Sequence, residues 1–254
     1  MKKKKIKKTI IAKGIIVICF LGVIYSSYNI IYWKKSVHEN ALIKEKNSKN
    51  INIIKDKDSD NKEEYYYDID FESLKKENND TVAYIKVNNT NIDYIVVKGN
   101  DNEYYLSHNF DKKYNIAGWI FADYHNKIDE SDKNIVVYGH NTQDGTMFGS
   151  LKNILEKSWQ EDENNWIITF ITELNEYKYR VFSTYSIYPE DYYINTEFTD
   201  NQEFFEFVNK IKKRSDYDYN VDVTEDDRIL TLSGCINKGA KRVVLHAKLI
   251  ETKY

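Results

Sequence analysis

The sequence predicts a mainly β domain, an antiparallel barrel or sandwich with peripheral helices, behind an N-terminal membrane-spanning helix. Three observations lead to this prediction. Eight short strand-like segments, separated by groups of Asn, Asp and Gly, follow one another between residues 82 and 251. The 254 residues include 22 Tyr, 11 Phe and 4 Trp but a single Pro, and aromatic residues favour strands. An uncharged apolar stretch, residues 14–33, precedes all of these segments.

The N-terminal segment predicts a membrane anchor over residues 1–35. At about 1.5 Å per residue, a helix over residues 14–33 would cross the roughly 30 Å hydrocarbon layer of a bilayer. Because the lysine-rich residues 1–8 precede it, the positive-inside rule places the N-terminus in the cytoplasm and the rest of the chain outside. A cleaved signal peptide is the alternative, but its apolar region would be shorter and would end at a small-residue cleavage site.

Composition and local pattern divide the remaining chain. Residues 36–64 are charged and rich in Asn, and we expect a stalk there, with or without a short helix. Residues 65–254 form the predicted domain, in which Asp70 is placed to cap a short helix. The predicted strands are 82–87, 92–97, 117–122, 134–139, 166–172, 177–187, 228–233 and 242–251. Helices are predicted at 146–155 and at 201–214, where apolar residues recur with helical spacing.

Charge and cysteine usage exclude several functions. The net charge of −3 gives no reason to expect nucleic-acid binding. Two cysteines, Cys19 in the apolar run and Cys235 near the C-terminus, cannot build a disulfide framework. The sequence contains no CxxC pair or His/Cys cluster, so we expect no structural zinc site.

Three residues stand where predicted strands begin or end. His140 follows strand 134–139 in a loop closed by Gly145, and Cys235 follows strand 228–233 and Gly234. Considered alone, each has an ordinary interpretation, as a loop histidine and as a buried inert thiol. Arg242 starts the next strand, and a hairpin connection would return it to the side of Cys235.

Together these residue types predict nucleophilic catalysis. A thiol with its ordinary pKa of about 8.5 is only a few per cent thiolate near neutral pH. A nearby imidazolium and a guanidinium both favour the thiolate. An arginine also offers several N–H donors, which would stabilise an oxyanion during acyl transfer.

The motifs around these residues resemble one protein family. TLSGC at 231–235 is similar to the TLxTC signature of sortases, the membrane-anchored cysteine transpeptidases of Gram-positive cell surfaces. Segments matching the class B branch follow in order, together with the helix between the sixth and seventh strands. They are NIDYIVVKGNDNEYYLSHNF at 91–110, GWIFADY at 118–124, VVYGHNTQDGTMFGSL at 136–151 and RVVLHAKLI at 242–250. The resemblance covers roughly residues 65–254 and implies a closed eight-stranded sortase-type barrel.

The resemblance also implies roles for individual residues. Cys235 matches the family nucleophile, His140 the proton donor and acceptor, and Arg242 the arginine that activates the thiol and binds the oxyanion. Matches to class B substrate-contacting positions are Asn102, Leu106, Tyr138, Tyr193, Ile194 and Ser233. One position departs from the family pattern, since Gly234 stands where a Thr usually precedes the cysteine, which leaves substrate preference or rate open.

The implied function is cleavage of a C-terminal sorting signal of NPxTN or (S/P)PxTG type through a thioacyl-enzyme. A cell-wall precursor or cross-bridge amine would accept the acyl group, and no metal or organic cofactor would be required. Two alternatives remain at this point: a membrane-tethered module that binds an extended peptide without reaction, and a plain cysteine peptidase that releases its product to water.

Overall fold

The chain divides into two compact units, Met1–Glu39 and Asn40–Tyr254. The structure, a computed structural model, describes residues 2–57, 63–190, 192–235 and 241–253. Its helices are α1 (Lys2–Ser48), α2 (Phe71–Glu77), α3 (Lys157–Gln160) and α4 (Asn201–Lys212). Its strands are β1 (Ile51–Lys57), β2 (Glu63–Ile69), β3 (Thr81–Val87), β4 (Asp93–Val97), β5 (Phe121–Ala122), β6 (Asn134–His140), β7 (Ile167–Ile171), β8 (Glu176–Ile187), β9 (Ile229–Cys235) and β10 (Arg242–Lys253). Short 3₁₀ helices lie at Tyr104–Leu106, Gly149–Leu155, Glu163–Trp166 and Tyr192–Ile194.

The first unit consists of the N-terminal part of α1. From Ala12 onward, this helix is long and apolar enough to cross a membrane. Its large apolar side chains, among them Ile16, Ile18 and Phe20, are exposed. A helix that is apolar on all sides and uncovered by protein has the surface that a lipid environment accommodates.

Eight strands of the second unit form a closed barrel in the order β10-β8-β7-β3-β4-β5-β6-β9. Eight strands were predicted in these regions, and the mainly β barrel is confirmed. The expected purely antiparallel arrangement is wrong, however, because β4 pairs with β5 and β6 pairs with β9 in parallel. Parallel pairing needs a long crossover connection, so the strands that meet are distant in the chain and local pattern does not reveal them.

Helix α4 covers the outside of the barrel wall. Alternate residues of β10 face opposite sides of the sheet, so Val243 and Leu245 join the larger hydrophobic cluster while Val244 joins a smaller one. The smaller cluster contains the predicted apolar stripe of α4, Phe204, Phe207, Val208 and Ile211. Asp200 caps this helix by accepting a hydrogen bond from the Glu203 N–H at 2.8 Å. The predicted cap of α2 is confirmed as well, since Asp70 accepts from the Ser73 N–H at 2.9 Å.

The structure differs from the predicted stalk, because residues from Asn40 onward belong to the barrel unit. The last turns of α1 contact it directly: Asn40 donates from Nδ2 to the Gly118 carbonyl at 2.9 Å, and Lys44 donates from Nζ to the Asn91 carbonyl at 3.2 Å. Ile43 is buried between these contacts. A helix with one buried face therefore lies within a segment whose charged composition suggested a stalk.

A β-hairpin begins within the predicted stalk and ends in the predicted domain, since β1 lies before residue 64 and most of β2 lies after it. β1 and β2 pair in antiparallel register from Ile51 opposite Ile69 to Lys57 opposite Glu63. Tyr67 of β2 packs against Tyr84 of β3 with their ring centroids 5.6 Å apart, and so attaches the hairpin to the barrel unit. The hairpin was missed because its sequence is dominated by charged residues and Asn.

Two other predicted elements are shorter than expected. Of the predicted strand 117–122, only Phe121–Ala122 forms, because Gly118 adopts a left-handed φ of 58° and the Trp119 N–H bonds to the Tyr105 carbonyl. The predicted helix 146–155 begins only at Gly149 and is 3₁₀. Its first residues belong to a tight loop in which Met147 has a φ of 48°.

Candidate active site

Three adjacent strands bring the predicted catalytic positions to one edge of the barrel. The parallel ladder between β6 and β9 ends with His140 opposite Cys235. The antiparallel ladder between β9 and β10 starts with Ser233 opposite Val244, and Cys235 and Arg242 each lie two residues beyond that pair on their own strands. Neighbouring strands lie about 4.8 Å apart, so the backbones of His140 and Cys235 are close neighbours, and Arg242 begins the strand on the other side of β9.

The imidazole of His140 is held by a backbone carbonyl. Nε2 of His140 lies 2.6 Å from the carbonyl oxygen of Leu106, at the end of the 3₁₀ helix Tyr104–Leu106. A carbonyl oxygen only accepts hydrogen bonds, so Nε2 carries a proton in this arrangement. On the backbone side, the His140 carbonyl accepts from the N–H groups of Thr142 at 3.1 Å and Phe148 at 2.9 Å, which fixes the loop that follows the strand.

The guanidinium of Arg242 contacts a buried pair of hydroxyl groups. Nη1 of Arg242 donates to the Tyr193 hydroxyl at 3.0 Å, and that hydroxyl lies 3.1 Å from Oγ of Ser233. Tyr193 and Ser233 have no exposed surface, whereas Arg242 is half-buried. The Tyr193 hydroxyl accepts from Arg242, and either hydroxyl can donate in the bond between Tyr193 and Ser233. Tyr193 and Ser233, predicted as substrate contacts, thus fix the orientation of the arginine.

Asn102 and Tyr138, also predicted as substrate contacts, converge on Asp123, a residue to which the sequence assigned no role. Oδ2 of Asp123 accepts from Asn102 Nδ2 at 2.8 Å and from the Tyr138 hydroxyl at 2.8 Å. Asp123 is buried, and its other oxygen accepts from His125. The signal was present in the sequence, because Asp123 lies within the GWIFADY segment that resembles class B sortases.

Although Asp123 and His125 are both possible metal ligands, no group of three or more His, Cys, Asp or Glu residues is arranged to hold a metal ion within the part of the chain that the structure describes.

The two remaining predicted contacts, Leu106 and Ile194, are half-buried and pack against the hydrophobic core. Leu106 additionally provides the carbonyl that binds His140. The six predicted substrate positions are therefore divided between the supports of His140 and Arg242, the Asp123 cluster and the apolar surroundings.

His246 lies inside β10 as predicted, and it is buried in a polar network below α4. Its Nε2 lies 2.8 Å from the Tyr185 hydroxyl, and its Nδ1 lies 2.8 Å from Oγ1 of Thr231. Thr231 donates in turn to Oδ1 of Asn134 at 2.8 Å. Burial lowers the pKa of His246 to about 3, so this imidazole is neutral at physiological pH and links strands rather than exchanging protons.

Comparison with known proteins identifies the family. The family model of the Sortase domain matches residues 85–250. Sortase B of Staphylococcus aureus (strain NCTC 8325 / PS 47) is 36% identical over 184 residues, which are 71% of this chain and 75% of that protein. The chain belongs to the sortase family of cysteine transpeptidases, and within that family it resembles class B.

Solved structures agree with this assignment. Sortase B from Bacillus anthracis in complex with AAEK1 has a TM-score of 0.73 and 30% identity, and the match covers 85% of this chain and 99% of that one. A Staphylococcus aureus sortase B–substrate complex has a TM-score of 0.67 and 37% identity, covering 71% of this chain and 84% of that one. The closed mixed barrel with its peripheral helices is thus the fold of class B sortases.

Proposed function

We propose that this sortase cleaves a C-terminal sorting signal of NPxTN or (S/P)PxTG type and transfers the acyl group to an amine of the cell wall. The observation that supports the proposal is the register of β6 and β9, in which His140 is opposite Cys235, together with the start of β10 at Arg242 beside the end of β9. The existence of a substrate complex for the Staphylococcus aureus relative, which shares this fold, supports a substrate for this chain as well.

In the first half-reaction, the Cys235 thiolate attacks the carbonyl carbon of the Thr in the signal, and the carbonyl electron pair moves to oxygen. Arg242 donates hydrogen bonds to the resulting oxyanion. When the tetrahedral intermediate collapses, the C–N bond breaks and His140 gives a proton to the leaving amine. The product is a thioester between Cys235 and the N-terminal part of the signal.

In the second half-reaction, an amino group of a cell-wall precursor attacks the thioester. His140 takes a proton from this amine, the C–S bond breaks, and the Cys235 thiolate is regenerated as the amide forms. Because Nε2 of His140 donates to the Leu106 carbonyl, Nδ1 is the ring nitrogen that gives and takes the proton in both steps. The hydroxyl of Tyr193 keeps the Arg242 guanidinium in place throughout.

The N-terminal helix completes the proposal. Residues 1–35 anchor the enzyme as a single-pass protein, with the lysine-rich tip in the cytoplasm and the catalytic domain outside the cell. Support comes from the length and apolar surface of α1. The location suits an enzyme whose substrates are surface proteins and whose acceptor lies in the cell wall.

The test uses the full-length protein in detergent with a library of sorting peptides and an added amine. We expect Cys235→Ala to abolish cleavage and to remove a thioacyl adduct detected by mass spectrometry. The other cysteine provides a matched control, because Cys19→Ala removes a thiol from α1 and is expected to keep full activity. Turnover by Cys235→Ala would contradict the proposal.

The same assay separates the two alternatives. A transpeptidase yields an amide product and turns over faster when the amine is added, whereas a plain peptidase yields only the free acid at an unchanged rate. A binding module would retain the peptide without cleaving it. An adduct that forms with wild-type protein and Cys19→Ala, but not with Cys235→Ala, would exclude that module.

A further inference from the structure

Asp123 is a buried carboxylate placed where hydrogen-bond donors from different segments meet. Only 3% of its surface is exposed. Oδ2 accepts from Asn102 and Tyr138, and Oδ1 accepts from the backbone N–H of His125 at 3.0 Å and from its Nδ1 at 2.8 Å. Burying a carboxylate is costly unless its oxygens are satisfied by hydrogen bonds, and here both oxygens are.

The cluster constrains Asn102 on both sides of its amide. Nδ2 of Asn102 donates to Asp123, while its Oδ1 accepts from the backbone N–H of Tyr124 at 3.1 Å. Tyr138 is fixed at its hydroxyl by Asp123 and along its ring by Phe121, whose centroid lies 5.2 Å away. Neither side chain can turn without breaking a bond to the segment 121–124.

Tyr138 connects this cluster to the active edge. It lies two residues before His140 on β6, and side chains two apart in a strand share a face of the sheet. In the parallel ladder, Tyr138 is opposite Ser233 in the same way that His140 is opposite Cys235. Tyr138 therefore places the cluster two residues along the strands from His140 and Cys235.

We propose that Asp123 is a positioning residue that fixes Asn102 and Tyr138 as one wall of the peptide-binding groove. This inference rests on the proposed function, because it needs a peptide to occupy the groove. Asp123 does not contact the reacting atoms. It affects the affinity of the enzyme for the sorting peptide. Its effect falls on KM for the sorting peptide, with kcat nearly unchanged.

The conservative substitution Asp123→Asn is informative because the carboxylate faces donors on both oxygens. Turned one way, the new amide puts its NH₂ group against the Asn102 and Tyr138 donors; turned the other way, it puts that group against the His125 N–H groups and leaves Asn102 and Tyr138 with a neutral, weaker acceptor. Losing a hydrogen bond to a charged acceptor corresponds to about tenfold or more in an equilibrium constant. We expect KM for the sorting peptide to rise by that factor and kcat to stay within about threefold.

Two measurements separate positioning from a loss of structure. The rate and pH profile of Cys235 alkylation by iodoacetamide, measured in a Cys19→Ala background, should not change with Asp123→Asn. In an enzyme that also carries Asn102→Ala and Tyr138→Phe, the additional Asp123→Asn change should raise KM much less, since the groups it positions are gone. The matched control is Asp129→Asn, a nearby exposed aspartate that bonds within its own loop to Ser131.

The inference is overturned if Asp123→Asn keeps the wild-type KM, if it slows alkylation as much as cleavage, or if KM rises equally in both backgrounds. Tyr138→Phe removes a single oxygen, and an unchanged KM in that variant would overturn the inference even if Asp123→Asn did not fold. These results differ from a failure of the proposed function, which would appear as turnover by Cys235→Ala while the alkylation behaviour of Asp123→Asn stayed normal.

Discussion

Cys235 and His140 are register partners at the end of the parallel ladder between β9 and β6. Parallel strands end at the same edge of a sheet, so two residues at their C-terminal ends necessarily meet there. An antiparallel pairing of the same strands would have placed these residues at opposite ends of the barrel wall. The parallel contact between β6 and β9 therefore decides whether the histidine and the cysteine can act together.

The first prediction concerns Gly118, which lies close to the carbonyl bound to His140. A Cβ at this position would overlap the Tyr105 carbonyl oxygen and stand 2.9 Å from that of Leu106, and its φ of 58° is strained for other residues. We expect Gly118→Ala to lower the free energy of unfolding by about 1–3 kcal/mol. We expect kcat to fall by about tenfold or more, because the Leu106 carbonyl is displaced from His140.

Urea denaturation and steady-state kinetics check this prediction. Gly99→Ala is the control, because a Cβ at that position has its nearest neighbours at 3.5 Å, an ordinary contact. A folded Gly118→Ala enzyme with wild-type kcat would show that the Leu106 carbonyl has no part in orienting His140.

The second prediction concerns Gly234, the residue that departs from the family pattern. A Cβ at this position would meet the Val243 carbonyl oxygen at 3.5 Å and Cβ of Asn141 at 3.6 Å, which are ordinary contacts. The glycine is not needed for its backbone angles, since its φ is not in the left-handed region. We expect Gly234→Ala to raise the free energy of unfolding by about 0.4–1 kcal/mol, because alanine lowers the conformational entropy of the unfolded chain.

Thermal and urea unfolding measure the effect of Gly234→Ala, and peptide cleavage shows whether activity is kept. We expect kcat/KM to change by less than about threefold, since the residue adds no polar group near the reacting atoms. A large loss of stability would mean that β9 tolerates only glycine at this position.

The third prediction concerns the pH dependence of stability. The pKa of His246 is lowered from 6.5 in the unfolded chain to about 3 by burial, so between these values only the unfolded state binds the proton. Stability contributed by the neutral imidazole is therefore present above pH 6.5 and is lost as the pH falls toward 3. Between pH 7 and pH 5 the expected loss from this one group is about 2 kcal/mol.

Replacing His246 with Gln removes the titration and should flatten the dependence of unfolding free energy on pH between 7 and 5. His38→Gln is the matched control, because the side chain of His38 is exposed. The assignment fails if His246→Gln leaves the slope unchanged. Both variants are compared by urea denaturation at pH 7, 6 and 5.

Much of the fold followed from local sequence. Runs of aromatic and β-branched residues located all eight barrel strands, and the spacing of Phe204, Phe207, Val208 and Ile211 located α4. The failures have more than one physical cause. The parallel ladders and the Asp123 cluster depend on segments that meet only in the folded chain, whereas the β1–β2 hairpin is local and was missed because charged residues and Asn dominate its sequence.

The candidate active site was also predictable only in part. The sequence and its family resemblance singled out His140, Cys235 and Arg242, and the register of three strands explains how residues so far apart become neighbours. The bond from His140 to the Leu106 carbonyl was not predictable, because a backbone carbonyl carries no signature in the sequence. The turn at Gly118 was hidden for a similar reason, since the surrounding residues are apolar and suggest a strand.

β10 pairs with β8 on one side and β9 on the other, and it is the latest barrel strand in chain order. During synthesis the barrel thus stays open until β10 has emerged. Until then β8 and β9 are unpaired edge strands, which are prone to aggregation. Arg242 arrives with that same strand. A nascent chain therefore closes the barrel in the same step that brings in the Arg242 guanidinium, which we propose stabilises the oxyanion.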